Sequence, residues 1–373
     1  MKKLIFILFL AFIAIGFTTR SYGQLAPRPV TCISSDAFHP VAGTPYTYTV
    51  SVPSPPGSKY YTWIVTQDQT FVTNGALIAT PEAVGGPILA AADTWYATST
   101  LDADAISLTW QSFAYNPLQP VFVVIFVSNE GTACTSQNVK VYKIEPMNSF
   151  TLDIANQNFS HVTQGGYGTN METCISPIES ATYDATAPEG VLYDFGTDTL
   201  FYEVVAANFS EAWNLTVQIT GIDPLETVTV EWTKDGTYAG GFNAMTGPAN
   251  GTGAVPAVYI SATNVTVTDP SGFVGATGES IFIRVVLDHS TAGNPSWEGL
   301  TAEGIALAVD GVTVPTTGTG VGDVHYEAGG GPPPECPWVD GFVNDIALQT
   351  LEARPDIQDA TPPAGDDFLP VKP

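Results

Sequence analysis

The stretch Tyr60-Tyr61-Thr62-Trp63-Ile64-Val65 decides the fold of the first part of the chain. Aromatic and β-branched residues alternate along it, which predicts a strand with one buried face. Trp63 has the largest side chain of the stretch, so we expect it at the centre of a small core. Two later apolar runs, 106–110 and 121–129, are predicted to be strands that pack around it.

Two cysteines frame these strands, because Cys32 precedes them and Cys134 follows them. A mid-domain Trp strand between an early and a late cysteine is typical of an immunoglobulin-like β-sandwich. The region 32–146 also resembles the PKD-like domains of secreted Bacteroidota surface proteins. The residues that carry this resemblance are Tyr61, Trp63, Val65, Ile106, Leu108, Val127, Asn129, Cys134 and Val139. The resemblance implies a sandwich fold and no particular chemistry, and residues 66–105 form a longer connection than is usual in that family.

The later part of the chain echoes the first part in the same order. Thr173-Cys174-Ile175-Ser176 repeats Thr31-Cys32-Ile33-Ser34, Trp232 stands where Trp63 stood, and the apolar run 281–287 follows as 121–127 did. The spacing between the echoes drifts, so we interpret them as a diverged second copy with insertions. A chance match of four residues is the alternative.

The domain organisation follows from the turn residues, since 35 glycines and 29 prolines separate many short apolar runs. We predict an all-β chain of tandem immunoglobulin-like sandwiches with an extended C-terminal tail. The predicted parts are a signal peptide (1–24), a first sandwich (25–147), a second, larger sandwich (158–315), and a Gly/Pro-rich linker and tail (316–373).

The N-terminal 24 residues predict export. Lys2 and Lys3 precede an apolar run from residue 4 to residue 17, and small residues follow near a cleavage point. That run is short for a bilayer span, although an uncleaved anchor is the alternative. No second transmembrane segment is predicted, so we expect a secreted or cell-surface protein.

The charge excludes two classes of partner. The chain has 37 acidic and 11 basic residues, and loss of Lys2, Lys3 and Arg20 with the signal would leave eight bases. Nucleic acid and anionic lipid both require a basic surface, so neither is an expected partner. The excess acid provides solubility through self-repulsion or, alternatively, binds calcium, for which Asp102–Asp104 and 340–345 offer oxygen ligands. Solvated acidic turns are the alternative for both segments.

The remaining candidate residues predict structure more than chemistry. Four cysteines in an exported chain indicate disulfides, and the domain limits favour Cys32–Cys134 and Cys174–Cys336. A metal site would need closer spacing, such as Cys-x-x-Cys, which is absent. Neither His-Glu-x-x-His nor Gly-x-Ser-x-Gly occurs, so we predict no catalytic residue and no organic cofactor.

These observations favour a non-enzymatic structural or adhesive protein, such as a subunit of an extracellular filament or sheath. Its expected partners are further copies of itself, other surface proteins, or glycans. A carbohydrate-binding surface protein is the alternative, and an enzyme is a third reading. Tryptophans outside the strongest core patterns are the candidate sugar platforms, namely Trp95, Trp213, Trp297 and Trp338.

Overall fold

The structure is a computed structural model, and it confirms the all-β prediction. The residues it describes are 35–53, 58–82, 88–89, 97–101, 103–111, 118, 120–129, 136–164, 170–186, 190–268, 274–275, 277–289, 298–314, 320–325, 338–339, 341–342 and 345–357. All regular structure in these ranges consists of strands, so the described part of the chain holds no helix that could cross a bilayer.

The first unit is a small sandwich of two sheets. Its strands are β1 (Pro45–Thr49), β2 (Lys59–Thr66), β3 (Val72–Thr73), β4 (Ala76–Leu77), β5 (Ala97–Leu101), β6 (Ala105–Thr109), β7 (Val121–Asn129) and β8 (Ser136–Ile144). β1 pairs with β6, and the other sheet has the order β5-β2-β7-β8.

Trp63 lies at the centre of the first core, as predicted. It has no exposed surface, and its indole Nε1 donates to the carbonyl of Ala103 at 3.0 Å. Tyr48 and Leu108 reach the same core from the β1–β6 pair, while Ile125 reaches it from β7. Both sheets therefore share one apolar interior, and the burial of these side chains stabilises the packing of the sheets against each other.

The long connection 66–105 contributes edge strands to the first unit. β3 and β4 form a hairpin through Asn74-Gly75, whose φ angles of 50° and 76° suit a type I′ turn. β5 extends the larger sheet by pairing with β2.

The second unit is larger, and its strands bend round a separate core. They are β9 (Thr151–Gln157), β10 (Thr163–Gln164), β11 (Asn170–Cys174), β12 (Ser180–Tyr183), β13 (Val191–Asp194), β14 (Thr197–Ala207), β15 (Trp213–Thr220), β16 (Thr227–Thr233), β17 (Asn243–Thr246), β18 (Ala257–Ser261), β19 (Glu279–Asp288), β20 (Glu303–Thr313), β21 (Val324–His325), β22 (Trp338–Val339) and β23 (Ile346–Glu352).

The strand order of this unit gives a sandwich of two layers. One layer runs β9-β14-β19-β16 and the other runs β18-β15-β20-β23, with β17 passing from the first layer to the second. Successive strands from β14 to β16 therefore alternate between the layers, as do β19 and β20. At the edge opposite β17, two side-chain hydrogen bonds join the layers. Asn156 Nδ2 donates to the Leu348 carbonyl at 2.7 Å, and Gln349 Nε2 donates to the Phe201 carbonyl at 3.2 Å.

Strands of the second unit lie beyond the predicted range 158–315 at both ends. β9 precedes that range, and β21, β22 and β23 lie inside the predicted linker and tail. β9 pairs with β14, while β23 pairs with β20 and β11. β9 and β23 are therefore integral to the sandwich, and the extended tail can begin only after β23.

The sequence echoes do not correspond to a repeated strand order. Trp63 and Trp232 both pair with a residue of a long apolar strand, Ile125 and Ile283 respectively. However, the strand of Trp63 lies between β5 and β7, whereas that of Trp232 leads through β17 into the other layer. The two units thus share local strand pairs without sharing a topology.

Candidate functional site

Strand β8 forms an edge of the first unit. It pairs with β7 on one side, and residues 38–41 run beside 145–147 just after its end, through hydrogen bonds such as Met147 N to the Pro40 carbonyl at 2.9 Å. Within the described ranges, no strand pairs with the outer side of residues 136–144. Such an edge presents backbone donors and acceptors to which an extended peptide can add.

A groove of about 540 Å³ lies beside the start of this edge. We call it the β8 groove. Its walls are residues 49–53 and 136–140, and the other lining residues are Lys59 of β2 and Ile125, Val127 and Asn129 of β7. The groove therefore combines an apolar floor with lysine and backbone groups at its rim.

Asn129 is the unusual residue of the β8 groove. The residue is 3% exposed, yet neither Oδ1 nor Nδ2 has a hydrogen-bond partner among the described residues. A buried amide without partners costs about 1–3 kcal/mol, so most such groups in proteins are paired.

The β8 groove also lies where the first unit concentrates its positive charge. Lys59 and Lys140 line the groove, and Lys143 follows on β8, where it forms a 2.6 Å ion pair with Glu145. These three lysines are a large share of the eight bases outside the predicted signal. Because the rest of the chain is strongly acidic, this edge is the part of the first unit that attracts negatively charged groups.

A buried charge cluster lies at one end of the second unit. His289 has no exposed surface, and its two ring nitrogens contact Glu226 Oε1 at 2.5 Å and Asp198 Oδ2 at 2.7 Å. Burial alone would lower the pKa of His289, but the hydrogen bonds to the two carboxylates outweigh it and raise the pKa above its ordinary value. The imidazolium is thus held between two negative groups.

Glu303 joins this cluster through a shared donor. The backbone N–H of Asp223 donates to Glu226 Oε2 at 3.1 Å and also to Glu303 Oε1. Burial, followed by the negative charge of Glu226, raises the pKa of Glu303 to about 9. Glu303 therefore keeps its proton near neutral pH.

Arg354 connects the cluster to the segment after β23. Its guanidinium donates to the carbonyls of Glu298, Ser176 and Phe195 at 2.7–3.0 Å and lies over the Phe195 ring. Because the cluster is buried and joins segments far apart in sequence, its chemical role is to brace the fold rather than to meet a substrate.

An aromatic cluster covers the outer face of the β9–β14–β19–β16 layer. The Tyr238 ring contacts His161, Phe201, Phe242 and Phe282, with centroid separations of 4.5–6.4 Å. His161 and Tyr238 both have left-handed backbones, with φ of 58° and 55°, and the buried His161 Nδ1 has no partner within the described part of the chain. Left-handed non-glycine residues and orphan polar atoms are enriched at functional sites.

The edge of this aromatic cluster is open to solvent. Phe159 is 62% exposed and lies 6.5 Å from the ring of Phe201. Arg284 packs over Phe242 and forms a 2.5 Å ion pair with Glu231. An exposed ring beside planar charged groups is one arrangement that can bind a sugar face.

The structure corrects one of the proposed sugar platforms. Trp213 has no exposed surface and belongs to the second core, so it cannot be a platform. Trp95 and Trp297 lie outside the described residues, and Trp338 lies in β22.

The predicted disulfides remain predictions. Cys174 is exposed at the end of β11 and forms no disulfide with another described residue. Cys32, Cys134 and Cys336 lie outside the described residues.

Calcium binding by residues 102–104 and 340–345 also remains a prediction. Asp104 is exposed and Asp345 is buried, while Asp102 and Asp340 fall outside the description. In the described ranges, no group of three acidic, histidine or cysteine side chains is placed to hold a metal ion.

Comparison with known proteins gives only distant structural similarity. No family model and no curated protein matches the chain. A structure of infectious bursal disease virus is 10% identical, covering 72% of this chain and 53% of that one, with a TM-score of 0.20. The major pilin SpaD of Corynebacterium diphtheriae is 10% identical over 72% of this chain and 59% of its own, with a TM-score of 0.22.

A third similar structure is a carbohydrate-binding module from a β-sandwich superfamily, which is 12% identical. It covers 68% of this chain and 88% of the module, with a TM-score of 0.17. The chain thus spans less than two thirds of the first two structures. At these TM-scores the similarities give no information about function.

Proposed function

We propose that the chain is a non-enzymatic, secreted structural or adhesive protein whose copies associate through the β8 edge of the first unit. The observation that carries this proposal is the outer side of residues 136–144, for which the described ranges contain no strand partner. A surface that joins a different surface of the next copy repeats without closing, as a filament or sheath requires. The predicted signal peptide and the PKD-like resemblance support export to the cell surface.

Two further expectations belong to this proposal. Disulfides Cys32–Cys134 and Cys174–Cys336 would constrain the unfolded chain, each contributing about 4–5 kcal/mol in the chain-entropy model. Calcium would bridge acidic surfaces of neighbouring copies, which otherwise repel.

Truncation tests the proposal. We expect the full mature chain to form large particles, and one of two truncated chains, either the chain without residues 357–373 or the chain without 24–30, to remain monomeric. Each deletion removes an extended, proline-containing segment that could add to a strand edge on a neighbour. Light scattering and negative-stain microscopy, with and without calcium, measure the result. Unchanged assembly of both truncated chains would exclude terminal docking, and a full chain that stays monomeric would contradict the assembly function itself.

The second candidate function is glycan binding, which the aromatic cluster favours. If its open edge binds sugars, Phe159→Ala should weaken binding on a glycan array about tenfold, as expected for the loss of a contact worth about 1.4 kcal/mol. Phe38→Ala, which removes a 44% exposed ring from the first unit, is the matched control. Equal binding by both variants, or no binding by the unaltered protein, would contradict this candidate.

A further inference from the structure

We propose that the β8 groove of one copy binds the acidic C-terminal segment, residues 356–373, of a second copy. This inference depends on the proposed function, because it names the segment that occupies the assembling edge. Three properties support it, namely the unpaired outer side of β8 in the described ranges, the charge of the groove and its apolar floor.

The outer side of β8, with which no described strand pairs, indicates a peptide backbone as the ligand. A strand that adds to this side would run along residues 136–140, which form a wall of the β8 groove. Its N–H and C=O groups could pair with the β8 backbone.

The charge of the groove selects the C-terminal segment over the N-terminal one. Residues 356–373 contain Asp356, Asp359, Asp366 and Asp367 against one base, whereas residues 25–34 contain one base and no acid. Lys59 and Lys140 line the groove, so an acidic strand is attracted there and a basic strand is repelled.

The apolar floor matches a pair of residues in the same segment. Residues 364–369 form the longest proline-free stretch after residue 361, and they end in Phe368-Leu369. Proline lacks a backbone donor, so pairing with β8 has to use such a stretch. Side chains alternate along a strand, and one of this pair can therefore face Ile125 and Val127 while the aspartate two residues before it stays at the lysine rim.

The test uses full mature chains and a zero-length carbodiimide, which joins a lysine amine directly to a carboxylate. Isotopically light and heavy copies are mixed before crosslinking and peptide mapping. We expect crosslinks from Lys140 or Lys59 to Asp366 or Asp367 that join light peptides to heavy ones. Their yield should fall about tenfold in Lys140→Glu, the loss expected when an attraction of about 1.4 kcal/mol disappears.

Lys143→Glu is the matched control, because it makes the same charge change on β8 outside the groove lining. Crosslinks only within one isotope would place the segment on its own chain and overturn the inference. Assembly without these crosslinks, as expected if residues 25–34 fill the groove, would overturn it while leaving the proposed function intact. A chain that never assembles would overturn both.

Discussion

Replacing His289 with alanine is expected to lower the free energy of unfolding of the second unit by about 3–5 kcal/mol, the usual cost of removing one partner from a buried ion pair. The ring contacts Glu226 and Asp198, which are 0% and 4% exposed. Without the imidazolium, both carboxylates would have to stay buried without their cation or take up protons. Native-state hydrogen exchange in β14 and β19 measures the loss directly, because those strands flank the cluster.

A double-mutant cycle separates the loss of charge balance from the loss of packing. Asp198→Asn keeps an oxygen acceptor for the Ser176 N–H, which now donates to Asp198 Oδ2 at 2.9 Å, but removes one negative charge. We therefore expect His289→Ala to cost less in the Asp198→Asn background. His39→Ala is the control, since that side chain is 48% exposed, and its effect should stay within about 0.5 kcal/mol. Equal costs for His39 and His289 would contradict the bracing role of the cluster.

The sequence was sufficient to predict those strands that carry a strong apolar pattern. The runs around Trp63 and 121–129 became β2 and β7, and the apolar run 281–287 became β19 of the second sandwich. Strand β9 was missed because its residues, TLDIANQ, do not alternate, since both of its faces are buried. β23 was missed because Gly/Pro-rich sequence precedes it, although its buried Ala347, Gln349 and Leu351 do alternate with less buried residues.

The candidate sites were less predictable than the strands. The cluster around His289 draws on five positions between 198 and 354, each near the end of a strand, so no short motif records it. Only the rarity of histidine and arginine in this chain could have drawn attention to His289 and Arg354. The β8 groove arises from the register of β2, β7 and β8, which brings Lys59, Asn129 and Ser136 side by side. Pairing register depends on tertiary structure, and alternation within a single strand does not reveal it.

Replacing Glu303 with glutamine should make the second unit less sensitive to alkaline pH. The folded chain keeps the Glu303 proton up to a pKa of about 9, whereas the unfolded chain releases it near its ordinary value of 4.5. Between those values the folded state binds more protons, so stability is fully present below the lower pKa and is lost as pH rises toward the upper one. Glutamine resembles the protonated glutamate in shape and can still accept from the Asp223 N–H.

We therefore expect the variant and the parent chain to be equally stable near pH 4. Above that pH, the free energy of unfolding of the variant should exceed that of the parent by up to about 1.4 kcal/mol more for each further pH unit. Urea unfolding across the pH range, followed by hydrogen exchange in β20, measures the difference. Glu211→Gln is the matched control, because burial raises the pKa of Glu211 only to about 7, so its advantage should stop growing near that pH. His289 is present in both the parent and the Glu303→Gln chain. Its raised pKa also makes stability fall as pH rises, so it adds the same pH dependence to both chains. If the parent and Glu303→Gln chains lose stability in parallel from pH 5 to 9, Glu303 is already ionised in the folded protein, and the cluster carries one more negative charge than its geometry indicates.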